Sequence, residues 1–538
     1  MLAKASYPLF IVAIVFSVLT GISATTIIKY IYSATENGIS DPLWYFGKFG
    51  FFLILYGLFA LVSSYSVAIL TQSTIHNLRM NLSKKILSSN FQEMEFKQQK
   101  ILPILTTDVF TLAYTVDQLP HVLTATATIL GVYGYLFSLS WQLTTTTLGV
   151  SIVFLFPLLK YSIPLMAKFS DKARTAWNDL FAQFDGLVYG LKELTLNSAL
   201  RTSYIDKSLS QLSKKQNKYS VQENLAMAFS QKSMDIVLFM TIGFVLYLIM
   251  KYSIVEFNFF ASYLMILLMA QPSLSTVSGF LPRYKRAEAS FRKIQELGIE
   301  MDEFTKPKPD ELLVEKWEAN KPIIELKNVS HEYYHQEEDR HFTLGPINLS
   351  IYESEIVFVV GGNGSGKTTF AKMLSGLYKP KVGNLFYKGV DISWSLLDKY
   401  RNQFAGLYTD FFLFEDINHI AETDIDKKKK ELLSLLLLDE KVTIENGKFS
   451  TIKLSQGQRK RLALMTSIIE DKEIYLFDEW AANQDPQFKA IFYNQILPDL
   501  KKKGKTCIVI SHDESYFGHG DRILKIRDGQ LYEEGKSV

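Results

Sequence analysis

The sequence predicts a multi-domain membrane protein: a six-helix all-α transmembrane domain followed by an α/β domain that carries a phosphate-binding loop. Three observations predict it. Six apolar runs, each near the ~20 residues that a membrane helix needs, crowd residues 1–280. Residues 285–538 instead mix charge with short apolar runs, as a water-exposed domain does. Within that half an apolar strand runs straight into "GGNGSGKT", residues 361–368, and a helix pattern follows. At 538 residues the chain is too long for one core, so at least two domains are expected. The boundaries read as 1–300 for the membrane domain, 301–322 for a linker and 323–538 for the second domain.

The spans fall at approximately 8–29, 46–70, 121–140, 143–163, 235–251 and 258–281, the fifth being short enough to extend upstream past Lys232 and Asp235. Connections near 31–44, 141 and 252–257 contain almost no Lys or Arg. Those over about 71–118 and 164–230 are long and carry Arg79, Lys84, Lys85, Lys168, Lys172, Arg174 and Arg201. The positive-inside bias therefore places the long loops, both termini and everything after 285 in the cytoplasm, with the chain multi-pass in the cytoplasmic (inner) membrane. A cleaved signal peptide at 1–29 would leave five spans and strand the charged half on the wrong side. Membrane lipid is thus an expected partner. Lys48 can snorkel to the interface, and Lys232 with Asp235, three apart on one helix face, can neutralise each other, with a role in the transport path as the alternative.

"HNLRMNLSKKILSSNFQEMEF" and "TAWNDLFAQFDGLVYGLKELTLNSALR" keep helical periodicity with polar faces, as membrane helices do when they continue beyond the bilayer. Their tips, near 90–99 and 197–206, are expected contact points for the second domain. The net charge of +3 is too small to point to nucleic acid, and no basic stripe with interleaved aromatics occurs. The one cysteine, Cys507, excludes an intramolecular disulfide and a cysteine-based zinc site; in "KTCIVIS" it reads as a buried packing thiol.

The chemistry is concentrated in four places. In the loop, Gly361, Asn363, Gly364, Ser365 and Gly366 let the backbone curl so that N–H groups face phosphate oxygens at a helix N-terminus. Lys367 supplies charge to the β- and γ-phosphates, Thr368 is placed for Mg²⁺, and Thr369 completes the nucleotide contacts. In "EIYLFDEW" a strand delivers Asp478 to the metal shell and Glu479 to a water that attacks the γ-phosphate. "KLSQGQRKRLALM" has Ser455, Gln456 and Gly457 opening a helix that begins with Gln458, a second anion site; one phosphate cannot easily use both, so this one is expected to face the nucleotide of a second copy. "CIVISHDESYF" ends another strand at His512, which can sense or stabilise the γ-phosphate.

Phosphate loop, "LSQGQ", "LFDE" and "ISH", in that order after six spans, resemble an ABC transporter half-molecule of the exporter type over essentially the whole chain. The resemblance implies an α/β P-loop ABC ATPase domain, ATP and Mg²⁺ as cofactors, and a homodimer. It also implies that Tyr333 stacks on adenine and that Asp485 sits at the dimer contact. "DEWAANQDPQFKAIFYNQILPDLKKKGKT", "QRKRLALM", "GLKELTLNS" and "SHDESYF" look like the branch that exports cyclic peptides and peptide siderophores. That branch implies a peptide-like substrate; a lipid or glycan flippase and an ATP-gated sensor without transport are the alternatives. The chain departs from the general ABC pattern at three positions. Trp480 stands where proline usually follows the catalytic Glu, and Gln456 replaces a common glycine. Thr409 aligns with a Gln that normally binds Mg²⁺, so it is expected to reach the metal through water, with Asp410 as the alternative ligand.

Overall fold

The computed structural model of the chain describes residues 7–39, 41–252, 257–296, 320–335, 340–418, 425–482 and 484–534. Two compact units result, one of residues 1–89 and 96–304, the other of 90–95 and 305–538. Of the linker expected over 301–322, residues 301–319 lie outside the described residues.

Six helices of the first unit are long and apolar enough to cross a membrane. Their starts are written in the sequence. Asp41 caps the helix Pro42–Ser88 by accepting from the N–H groups of Leu43 and Trp44 at 3.1 and 3.2 Å, with Pro42 in the first turn where its missing donor costs nothing. Ser140 caps Trp141–Tyr189 in the same way. Three helices, of 47, 49 and 43 residues, are far longer than the ~20 residues a bilayer requires, so they continue past it as their periodicity predicts. The fifth span does extend upstream, within Ser210–Tyr252, and there Lys232 Nζ lies 2.9 Å from the Asp235 carboxylate. The sixth is interrupted: Phe257–Met269 and Gln271–Glu296 are separate helices, and Pro272 at the start of the second has no N–H to continue the first.

Several hydroxyls inside the apolar spans are satisfied locally, which removes the cost of bringing them into hydrocarbon, whereas Ser162 Oγ is buried without a partner. Thr144 and Thr147 donate to carbonyls four residues back at 2.8 and 2.6 Å, and Thr147 also meets the buried Tyr263 hydroxyl at 3.3 Å. A Cβ at Gly131 would stand 2.3 Å from Thr25 Oγ1, so the helices Tyr7–Asn37 and Val109–Leu139 approach there as only glycine allows.

The second unit contains a six-stranded sheet in the order Gln530–Glu534, Arg522–Arg527, Ile356–Val360, Thr506–Ile510, Ile474–Asp478, Phe404–Leu407, parallel except for its first strand. Ile356–Val360, Thr506–Ile510 and Ile474–Asp478 are buried on both faces, which is why they read as apolar runs. Alternate residues serve two cores: Phe358, Tyr475, Phe477 and Val509 face one, and Val357, Val359, Leu476 and Ile508 the other. Cys507 packs in the first, fully buried, and burial pushes its thiol up to about 12. A four-stranded antiparallel sheet, Arg340–Ile351, Ile324–His335, Val382–Tyr387 and Val390–Asp391, lies in the same unit. Asn90–Glu95 is part of this unit as well, held by hydrogen bonds from Lys372 and Tyr378 to Glu95, each 2.6 Å, and between Gln92 and His331 at 3.2 Å.

Candidate active site

In a parallel sheet, ligands gather beyond the carboxyl ends of the strands. Here three neighbouring strands end together: Ile356–Val360 leads to the phosphate loop, Thr506–Ile510 to His512, and Ile474–Asp478 to the paired acids. The register fixes the convergence. Ile510 pairs with both Val359 and Asp478, and its carbonyl accepts from the Glu479 N–H at 3.1 Å.

The loop's glycines are dictated by space. A Cβ on Gly361 would lie 2.3 Å from the Ile526 carbonyl and 2.7 Å from Ser365 Oγ. Gly366 has φ +106°, and a Cβ there would meet the Phe342 ring at 2.8 Å. The helix Lys367–Leu374 starts at once, so its free N–H groups face the loop. Asn363 and Gly364 are exposed, whereas Ser365, Lys367 and Thr369 are buried. Lys367 Nζ donates to the Gly361 and Gly362 carbonyls at 2.9 and 3.0 Å and lies 3.9 Å from Glu479 Oε1.

Asp478 is buried, and burial holds its carboxyl above the usual range; neighbouring Glu479 adds to this, and hydrogen bonds from Thr368 and Thr409 oppose it. Thr368 Oγ1 donates to Asp478 Oδ2 at 3.1 Å and Thr409 Oγ1 stands 3.4 Å from the same oxygen, while Asp478 Oδ1 is buried without a partner. An orphaned carboxylate oxygen beside two hydroxyls is an oxygen-donor set that suits Mg²⁺, which prefers few protein ligands and completes its shell with phosphate and water. Asp410 is exposed, and Thr409 is the loop residue that reaches Asp478. Among the described residues there is no cluster of three or more His, Cys, Asp or Glu fit to hold a metal.

Glu479 takes the left-handed backbone region, φ +49°, which turns its carboxylate out of the strand. That carboxylate lies 3.3 Å from His512 Nε2. The adjacent Trp480 is buried, its ring tilted against Phe492 at 4.6 Å and against Phe488 at 5.8 Å. Its Nε1 donates to the Lys460 carbonyl at 3.0 Å, and Lys460 Nζ in return donates to the carbonyls of Glu479, Trp480 and Ala482, each at 3.2 Å. Lys460 is buried, which lowers its ammonium's pKa, while Glu479 and Asp478 raise it. Sequence reading missed Lys460. Its one signal is a lysine on the helix face shared by the apolar Ala463 and Leu464.

The helix carrying "SQGQ" starts at Gln456, two residues before its expected start, because Ser455 caps it. Ser455 Oγ accepts from the Gln458 N–H at 3.4 Å and Gln458 Oε1 accepts from the Ser455 N–H at 3.2 Å. Gln484 Nε2 donates to the Gly457 carbonyl at 3.1 Å. Asp485 accepts from the Phe488 N–H at 2.8 Å and pairs with Arg461. Among the described residues no hydrogen bond or ion pair joins Ser455, Gly457 or Gln458 to the phosphate loop or to Glu479. Tyr333 lies in the strand Ile324–His335 opposite Phe342, and its side chain is outside the described residues.

A phosphate loop at a strand end, a carboxylate beside its threonine and a second acid with a histidine define a P-loop ATPase, joined here to six membrane helices. Residues 344–482 match the ABC transporter family and residues 9–271 its transmembrane region. The chain is 34% identical to ATP-binding protein SyrD of Pseudomonas syringae pv. syringae over 472 residues, covering 85% of this chain and 82% of that one. It is 32% identical to the Subtilin transport ATP-binding protein SpaT of Bacillus subtilis over 41% of this chain and 39% of that one. The fold is that of a bacterial Atm1-family ABC exporter solved with ATP bound, with a TM-score of 0.80 and 17% identity over 99% of this chain and 96% of that one. The chain belongs to the ABC transporter family. It is a half-transporter, one membrane domain joined to one ATPase domain, that binds and hydrolyses ATP.

Proposed function

We propose that the chain works as a homodimer in the cytoplasmic (inner) membrane, exporting a peptide-like small molecule, a cyclic peptide or peptide siderophore. In this reading the membrane domain covers 1–300, the linker 301–322 and a cytoplasmic ATPase domain 323–538. The observation that carries the ATPase chemistry is the meeting of Lys367, Glu479 and His512 beside the phosphate loop. The resemblance to peptide exporters in "DEWAANQDPQ" and its companion stretches supports the cargo, as does the similarity to SpaT, a protein named for subtilin transport.

ATP's phosphates are held by the amides of Gly361 to Thr369 and by the Lys367 ammonium, with Tyr333 against the adenine. Ser455, Gly457 and Gln458 of the second copy close the site, and Asp485 lies at the contact. Thr368 and Asp478, with Thr409 through water, would hold Mg²⁺, which when bound neutralises phosphate charge. Glu479 takes a proton from water as its oxygen bonds to the γ-phosphorus and the bond to ADP breaks. His512 holds the Glu479 carboxylate in position and faces the γ-phosphate.

Glu479→Gln removes the base and leaves the loop intact. ATP binding should persist while hydrolysis falls at least about a hundredfold. Lys367→Ala leaves phosphate charge unmatched and should abolish binding. Filter binding and steady-state ATPase on the purified protein check both, and near-normal turnover in the Glu479 variant would remove the assignment of the base.

A further inference from the structure

We infer that the membrane domain carries a carboxylate-recognising subsite, a reading that rests on peptide-like cargo and narrows it to molecules with a free acid. A cavity of about 430 Å³ opens between three helices of the first unit, Val109–Leu139, Ser210–Tyr252 and Gln271–Glu296. Gln118, His121, Lys232, Asp235, Ser275 and Arg283 line it. The volume is near the lower limit of ordinary ligand sites, so it holds one end of an amphipathic molecule and not the whole.

The hydrogen-bond inventory selects the charge. Asp235 is the one carboxylate of the lining and its charge is already paired: Oδ2 takes Lys232 at 2.9 Å, and Oδ1 takes Gln271 Nε2 at 2.9 Å and Ser275 Oγ at 3.0 Å. A cationic ligand would have to compete with the Lys232 ammonium for it. Asp117 does not line the cavity and is engaged by Thr71 and Gln118. Arg283 donates from Nη1 to Gln118 Oε1, and among the described residues no carboxylate comes within ion-pair range of it. A guanidinium has five N–H donors in a fork that matches a carboxylate, so most of Arg283's are available. The Lys232 side chain is 73% exposed and has two further donors. Two cations against one carboxylate leave a single positive charge, which a carboxylate matches and a doubly charged phosphate exceeds.

The test uses the full chain in phosphatidylcholine nanodiscs and a dansylated apolar hexapeptide prepared as its free acid and as its C-terminal amide, with binding followed by fluorescence anisotropy. The acid should bind at least about tenfold more tightly than the amide. R283Q should bring the two within about twofold of each other by weakening the acid alone. R283K should keep part of the preference, and D235N, which releases Lys232, should tighten the acid several-fold; these two serve if R283Q does not fold. Equal binding of acid and amide to the wild type, or equal weakening of both by R283Q, overturns the subsite and leaves peptide export standing. Loss of the acid's preference when phosphatidylglycerol is added assigns the cavity to a lipid headgroup and also overturns it. If neither peptide form binds while nucleotide binding is intact, the peptide-cargo reading itself fails.

Discussion

Trp480 follows Glu479 where the ABC pattern usually has proline, and its surroundings give that exchange a mechanical content. Indole and lysine hold each other: the ring donates to the Lys460 carbonyl, and the Lys460 ammonium gathers three carbonyls that begin at Glu479. Proline has neither the ring nor the donor. Lys460→Met should therefore take a donor from all three carbonyls, of which that of Glu479 keeps the Ala482 N–H at 3.2 Å, at about 1–3 kcal/mol for each one left unsatisfied, and misplace the Glu479 backbone. The expected result is ATP binding near normal with turnover at least about tenfold lower; Trp480→Phe, which keeps the ring packing and loses one hydrogen bond at about 1 kcal/mol, should be much milder. Equal losses in the two variants would show that ring packing alone matters. The phosphate loop, Asp478 and Glu479 were legible because each sits where an apolar strand stops, a local pattern. Lys460 was not, because lysines are rarely buried and its three acceptors lie about twenty residues further along the chain.

Among the elements, the short helix Phe91–Phe96 shows how little periodicity says about partners. Helical loops and a contact at the tip near 90–99 followed from length and polarity; which residues of the ATPase unit would meet it did not. Glu95 accepts from Lys372, which lies on the helix that begins at the phosphate loop, so a single rigid element separates it from the nucleotide. Beside it His331 is buried and stacked 5.2 Å from the Tyr378 ring. Its Nδ1 meets the Lys379 carbonyl at 3.0 Å and its Nε2 the Gln92 amide at 3.2 Å, so the neutral ring donates from Nδ1 and accepts at Nε2. Burial holds this imidazole below its ordinary pKa. The folded state thus takes the proton less readily than the unfolded one. Stability is full above the unfolded value of about 6.5 and declines as pH falls through it. The unfolding midpoint of the ATPase unit in the intact protein should drop between pH 7.5 and 5.5, and His331→Gln should flatten that slope. An unchanged slope would move the titration to another group.

For the whole molecule, the proposed homodimer predicts how two different lesions combine. Chains with Ser455→Arg and chains with Lys367→Ala should each be inactive. Mixed, they should place both lesions in one ATP site and leave the other whole, so hetero-dimers purified by two tags recover part of the ATPase rate. If such dimers form and stay as inactive as either parent, sites built from two copies are ruled out. The order of the motifs along the chain made this architecture legible, since six spans, loop, signature and acids occur together in few families. The reassignment of residues 90–95 to the ATPase unit was not legible, because it is a tertiary pairing across more than two hundred residues of sequence. That pairing has a topological consequence. The chain crosses between its two units three times, after Ser89, after Glu95 and after Phe304. The few polar bonds of the 90–95 segment work at the millimolar effective concentration that a tether supplies. A protease cut within 305–319 would leave residues 90–95 and the rest of their unit on separate chains, and their hydrogen bonds would lose that concentration at a stroke.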